Sequence, residues 1–187
     1  RPHVAQSPPA FLPAPRLSIQ KSQDMQTLNV CLEQVNPAPE QRTSSVALSV
    51  LLQNELNTRL SRSALNYGGA YADYLPYSDL AYCEIGLSVS PENASAGLAL
   101  ISDTLHDAQA WLTPQALETL KKQWRMASDF NNSDPRQRVR LMTTEYELTG
   151  NIVHWKELDD RYDRVTIETV REALRHLDLA NPALLSV

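Results

Sequence analysis

Thr58-Arg59-Leu60-Ser61-Arg62-Ser63-Ala64-Leu65-Asn66-Tyr67-Gly68-Gly69-Ala70-Tyr71 is the stretch whose reading decides the fold. Ahead of it Leu48, Leu52, Leu56 and Leu60 recur every four residues, and Leu51 widens the stripe. That is the pattern of a helix with one buried face. Gly68 and Gly69 break the pattern, and Ala70 to Leu75 reads as a strand. Pro76-Tyr77-Ser78-Asp79 is a turn signal. From Ala81 to Val89 the chain alternates, with Cys83, Ile85, Leu87 and Val89 opposite Tyr82, Glu84, Gly86 and Ser88. Two strands joined by such a turn predict a hairpin. The stretch is therefore the joint between a long helix and a β-hairpin.

Upstream, Thr27 to Val35 reads as a further strand, with Leu28, Val30 and Leu32 on one face and Asn29, Cys31 and Glu33 on the other. Asn36-Pro37-Ala38-Pro39 ends it, and a short strand is expected from Arg16 to Lys21. Residues 1–15 hold five prolines, which predicts an extended linker arm ahead of one domain over 16–187. Downstream the pattern turns helical. Pro91 opens a helix capped by Ser90, with Ala94, Leu98, Ile101, Leu105, Ala108 and Leu112 as its buried stripe. Thr113-Pro114 starts the next, with Leu117, Leu120, Trp124 and Ala127 inward. Asn131 to Pro135 breaks the chain before a helix with Val139, Met142 and Tyr146 inward, which Gly150 stops. A short helix around His154 to Arg161 follows, and Thr166 caps a last one bearing Ile167, Val170, Leu174 and Leu177. Strand, helix, hairpin and then a run of helices predict an α+β fold, a mostly antiparallel sheet with helices packed on one face.

Composition narrows function. A chain of 187 residues can build a full core, and 42% hydrophobic with 21% charged residues is ordinary for a soluble globular protein. The net charge of -5 speaks against nucleic acid as a partner, since phosphate binding needs clustered Lys and Arg. No apolar run approaches the roughly 20 residues of a membrane span. No leader is legible; an opening Arg1 suggests a processed protein or an excised piece, so periplasm and cytoplasm both stay open for a bacterial chain. Cys31 and Cys83 are too far apart for a CxxC metal site and read as small buried or half-buried thiols, with a disulfide between neighbouring strands left open.

The order of these pieces resembles the pitrilysin-like (M16, mitochondrial processing peptidase-like) zinc metallopeptidases. Thr58-Arg59-Leu60 is similar to the (S/T)RL segment of that family, and Tyr71 stands as the tyrosine of its GLAY segment. Pro91-Glu92, Thr113 to Lys121 and Val165-Thr166-Ile167-Glu168-Thr169-Val170 resemble its later helix starts, so the likeness covers about residues 25–177. It implies the LuxS/MPP-like metallohydrolase architecture. The family's zinc-binding HxxEH is absent from all 187 residues. A zinc helix needs two histidines four residues apart on one turn, beside a carboxylate base. His3, His106, His154 and His176 offer no such pair; the nearest miss is His154-Trp155-Lys156-Glu157-Leu158, with Leu158 in the second histidine's place. The resemblance thus implies the non-catalytic, C-terminal or inactive-type domain, with no cofactor in this chain and any zinc in the parent or a partner domain.

In such halves an arginine and a tyrosine bind the substrate backbone or the developing oxyanion. An arginine stays charged and donates in a fixed fork, and a tyrosine adds a neutral donor. Tyr71 matches the tyrosine. The arginine's usual place, seven residues earlier, is Ala64; a segment one residue short would bring Arg62 in instead. Arg59 matches the structural arginine of (S/T)RL. The expected substrate-binding set is Tyr71, Arg62 and Arg59, weighed against Tyr71 as a sheet aromatic and Arg59 as a helix-end packing residue. His106-Asp107 reads as a solvated pair at a helix end. Arg136, Arg138 and Arg140, near Asp129, Asp134 and Glu145, read as a solvated helix face. Glu157, Asp159, Asp160 and Asp163 lack the central glycine of a calcium loop, and Trp111, Trp124 and Trp155 read as packing.

Three functions are compatible with these residues. The first is a non-catalytic domain that forms a peptide-binding chamber with a second M16-like domain, in the same parent chain or a partner subunit. Extended peptides can add to free sheet edges in such a chamber. The second is a catalytically dead scaffold using the fold for association. The third is an unrelated α+β domain that binds a small molecule.

Overall fold

The computed structural model describes residues 25–35, 39–76, 80–150, 155–177, 179 and 183–186. The proline arm, the strand expected at Arg16–Lys21, the Tyr77-Ser78-Asp79 turn, His3 and His154 lie outside them.

Strand β1 (Gln26–Val35) carries the expected alternation, with Leu28, Val30 and Leu32 buried on one face. Helix α1 (Pro39–Arg62) follows, and its Leu48, Leu52, Leu56 and Leu60 are almost fully buried. These leucines lie against the buried row of the hairpin, Cys83, Ile85, Leu87 and Val89 of β3 (Leu80–Val89), and against Ala72 of β2 (Tyr67–Pro76). All the pairings are antiparallel, and the sheet order is β2-β3-β1-β4, where β4 is Ala183–Ser186. β4 was not expected. Its four residues, Ala-Leu-Leu-Ser, are too few to show a period.

Gly68 and Gly69 do not end the helical pattern in a bare break. They belong to β2, where the register with β3 slips between Tyr67 and Gly69. Gly69 has φ +133, a conformation L side chains rarely adopt, and the extra residue makes a β-bulge. The outer edge of β2 is closed by α1. Asn57 Nδ2 donates to the Ala70 carbonyl at 2.8 Å and Asn57 Oδ1 accepts from the Ala70 N–H at 3.1 Å. Gln53 Oε1 accepts from the Ala72 N–H at 3.2 Å. Side-chain amides thus stand where a neighbouring strand would pair.

The helix opened by Pro91 begins as a single 3-10 turn (Pro91–Asn93) and continues as α2 (Ala94–His106). Ser90 sits at its N-cap position but makes no capping bond; its hydroxyl accepts from Asn93 Nδ2 at 2.9 Å. The chain turns at Asp107, so Ala108 and Leu112 of the expected stripe fall in and after a separate short helix, α3 (Ala108–Trp111). Helix α4 (Pro114–Ser133) is capped by Thr113, whose hydroxyl accepts from the Ala116 N–H at 3.2 Å. Its Leu117 and Leu120 are buried, while Ala127 is exposed.

Helix α5 (Pro135–Thr149) departs most from expectation. Val139 is 62% and Tyr146 54% exposed, although their spacing marks an apolar stripe. The stripe forms, but only Met142 of the three is half-buried. Helix α6 is Trp155–Arg164. Helix α7 (Ile167–Arg175) starts at Thr166 in a full capping box, with Thr169 N–H donating to the Thr166 hydroxyl at 3.3 Å and Thr166 N–H to the Thr169 hydroxyl at 3.1 Å. Ser44 of α1 donates to the Thr169 hydroxyl at 2.9 Å, which ties α7 to the central helix. Among the described residues, no helix is long and apolar enough to cross a membrane.

Candidate site on the sheet face opposite the helices

Side chains alternate along a strand, so Ala72 and Tyr74 of β2 face the helices while Tyr71 and Asp73 face away. Asn29, Cys31 and Glu33 of β1 and Tyr82, Glu84, Gly86 and Ser88 of β3 share that second face. Tyr71, Gly86 and Asn29 lie in one row across the three strands, because Gly86 pairs with both Tyr71 and Asn29. The Tyr71 ring crosses β3 directly above Gly86. A Cβ at Gly86 would overlap ring atoms Cε1 and Cζ and come within 2.6 Å of Cδ1. Only glycine leaves room for the ring.

The ring delivers its hydroxyl to two acceptors, Asn29 Oδ1 at 2.9 Å and Glu84 Oε1 at 3.0 Å. The single phenolic proton is shared between them. Burial first, and the Glu84 carboxylate second, push the Tyr71 phenol up to about 12. It therefore stays a neutral donor at any physiological pH. Cys31, half-buried beside Glu84, is raised by burial and then by that carboxylate, so it is a poor nucleophile. Cys83 lies on the helix side, 3.9 Å from the Ser49 hydroxyl, and burial pushes it up to about 12. The two thiols are on opposite faces and both are free. The disulfide left open by the sequence is not formed.

The structure does not bring the three expected substrate-binding residues together. Arg59 lies in the helix layer, where Nε meets Glu55 Oε1 at 2.8 Å and Nη1 meets Asp107 Oδ2 at 3.2 Å. Arg62 is exposed in the last turn of α1. Neither shares a hydrogen-bond partner with Tyr71. Asp107 thus pairs with Arg59 rather than with His106, whose Nδ1 bonds the Ser102 carbonyl at 2.8 Å. Arg136 and Arg140 are exposed and Arg138 is half-buried, while Asp134 caps α5 through the Arg136 N–H. Trp111 is buried and donates to the Thr104 carbonyl at 2.8 Å, and Trp124 packs on Tyr162 at 4.5 Å between ring centroids.

Asn29, Glu84 and Gly86 were not anticipated as part of a site. Their only sequence signal is the strand alternation, which places them on the face away from the helices without revealing the register that joins Asn29 to Tyr71 across 42 positions.

The fold family implies zinc, and the residues here do not fit it. His106 and His176 sit on different helices, each engaged locally, the latter with Glu172 at 3.8 Å. Among the described residues, no group of three or more His, Cys, Asp or Glu could hold a metal ion. The face offers carboxylate acceptors at Glu84 and Asp73, an amide at Asn29 and the Tyr71 ring held above Gly86.

No protein-family model and no curated protein matches the sequence. Solved structures do match in fold. The chain is similar to the periplasmic protease PqqL from Escherichia coli, with a TM-score of 0.76 and 14% identity over 92% of this chain and 20% of that one. It is similar to an inactive peptidase domain from Bordetella parapertussis, with a TM-score of 0.71 and 16% identity over 86% of this chain and 92% of that one. A peptidase M16 inactive domain from Pseudomonas fluorescens matches with a TM-score of 0.71 and 16% identity over 91% of this chain and 42% of that one. The chain thus spans about a fifth of the length of PqqL and nearly the whole of the Bordetella domain. It has the α+β fold of the M16-like peptidases, a fold it shares with their inactive domains.

Proposed function

We propose that this chain is a non-catalytic M16-like domain whose sheet face away from the helices forms one wall of a peptide-binding chamber. A second M16-like domain, in the same parent chain or a partner subunit, completes the chamber and carries any zinc. The observation that carries this reading is the arrangement of Tyr71, Asn29, Glu84 and Gly86. It is an ordered polar row on the sheet face away from α1 and α2, in a fold shared with inactive peptidase domains. Tyr71 is the substrate contact, through its ring and through exchange of its proton from Glu84 to a peptide carbonyl. Arg59 serves the helix end, and Arg62 stands apart from the row. Peptide addition to β2 is closed at Ala70 and Ala72 by Asn57 and Gln53, so the substrate lies across the face.

The alternative is a scaffold that uses the fold for association alone. The internal commitment of the Tyr71 proton favours it, because a hydroxyl already bonded to two acceptors is a reluctant donor. Amide-resolved NMR titration with an unfolded, protease-resistant peptide separates the two. Chamber function expects saturable shifts at Asn29, Tyr71, Glu84 and Gly86 and their loss in Tyr71→Ala. Shifts confined to the helix layer, or none, refute it. Metal analysis after dialysis is expected to find no stoichiometric zinc, and one tight zinc per chain would overturn the non-catalytic assignment.

A further inference from the structure

We propose that the cleft between α1, the end of β2 and the α5–α6 pair binds a carboxylate carried on a small apolar body, with Arg42 and Tyr74 as its donors. The cleft lies on the helix side of the sheet, away from Tyr71, and the inference is independent of the chamber reading. Its volume is about 200 Å³, below the roughly 300–1,000 Å³ of drug-sized ligand sites, which restricts the occupant to a small molecule or a chain terminus.

Three observations define the occupant, the first two pointing to an anion. Arg42 Nη1 and the Tyr74 hydroxyl are both buried and have no hydrogen-bond partner. Orphaned buried donors are rare because each loses its water without compensation. Charge is also unbalanced. The described lining holds Arg42, Arg161 and one carboxylate, Glu145, which Arg161 already binds at 2.9 Å. Among the described residues Arg42 has no ion-pair partner, so one positive charge is left in a chain of net charge -5. Finally, Val46 and Leu141 make part of the wall apolar.

A single unmatched charge suits a monoanion better than a phosphate dianion, and the apolar wall suits a hydrocarbon body. One carboxylate oxygen takes the guanidinium N–H and the other the phenol O–H. Tyr74 is a dependable donor, since burial pushes its phenol up to about 12. Neither orphaned atom is open to water in this conformation. Binding therefore requires the α5–α6 wall, where Val139, Leu141 and Tyr146 are exposed, to move outward.

The test is isothermal titration of the full chain with benzoate, N-acetylphenylalanine and N-acetylphenylalanine amide. Saturable binding of at least one acid and none of the amide is expected. Benzoate binding alone identifies a free small acid as the source, and N-acetylphenylalanine binding alone a peptide C-terminus. Arg42→Met is expected to weaken the acid at least tenfold. Tyr74→Phe is expected to weaken it several-fold without lowering the melting temperature, because the hydroxyl it removes is unpartnered. If Arg42→Met fails to fold, Tyr74→Phe decides. Equal binding of acid and amide, no binding of either acid, wild-type affinity in the variants, or a lowered melting temperature in Tyr74→Phe overturns the proposal.

Discussion

Substituting Gly86 by alanine should break the hydroxyl bonds of a residue on another strand. The added Cβ falls on the Tyr71 ring, whose Cδ1 would stand 2.6 Å away, and β3 cannot yield because it pairs on both sides. The ring must swing off, and its hydroxyl leaves Asn29 and Glu84. A bond to a neutral amide contributes about 1 kcal/mol and one to a carboxylate about 1.5–3 kcal/mol. One proton shared between them supports about 2 kcal/mol in all. Replacing a strand glycine returns roughly 0.5–1 kcal/mol of backbone entropy, and the displaced ring loses about 1 kcal/mol of contact. Gly86→Ala should then cost about 2 kcal/mol, or about 4–8 °C in Tm for a chain of this size. Tyr71→Phe keeps the ring in place and removes only the hydroxyl, for about 1–2 kcal/mol. Because both changes break the same bonds, the double variant should cost little more than Gly86→Ala alone. Urea unfolding of wild type, both singles and the double completes the cycle, with an expected coupling of about 1–2 kcal/mol. Additive costs within roughly 0.5 kcal/mol would show that the ring keeps its hydroxyl bonds above an alanine, and the close-approach reasoning would fail.

Two further expectations follow from the same chemistry. Asn57→Ala removes both bonds to Ala70 and should cost about 2 kcal/mol, with faster hydrogen exchange at the Ala70 amide, while the Ala72 amide stays held by Gln53; unchanged exchange at Ala70 would mean that Asn57 does not guard the edge. At alkaline pH, Cys83, Tyr71 and Tyr74 all hold their protons more tightly when folded, rising to about 12 from 9.0 for the thiol and 10.0 for the phenols. Their contribution is complete below pH 9 and is lost as pH climbs towards 12, since the unfolded chain releases these protons first. Unfolding free energy should decline over that window, less steeply in Cys83→Ala; equal slopes for wild type and variant would refute the assignment to the thiol.

Much of the fold can be read from periodicity because periodicity reports which side of an element is apolar. Leu48, Leu52, Leu56 and Leu60, the alternation from Cys83 to Val89, and the Thr166 cap all led to the observed elements. The same signal misleads at α5, where Val139 and Tyr146 form a stripe that no described element covers. Amphipathicity describes a helix and says nothing of its neighbour. In sequence the glycine pair reads only as punctuation, because a bulge depends on the partner strand, which local pattern does not contain. The site was less legible still. Tyr71 could be singled out from its neighbours in sequence, but Asn29, Glu84 and Gly86 join it only through register, and the arginines expected beside it belong to another layer.

The amides of Asn57 and Gln53 along β2 also give the sheet a polarity for growth. A sheet with two open borders can be extended from either side, and copies then stack into a ribbon without end. With that border occupied by the chain's own helix, a strand pairing at Ala70 and Ala72 would first have to displace two side-chain amides. Growth of the sheet from β2 is thus opposed by two side chains of a helix rather than by any contact between partners.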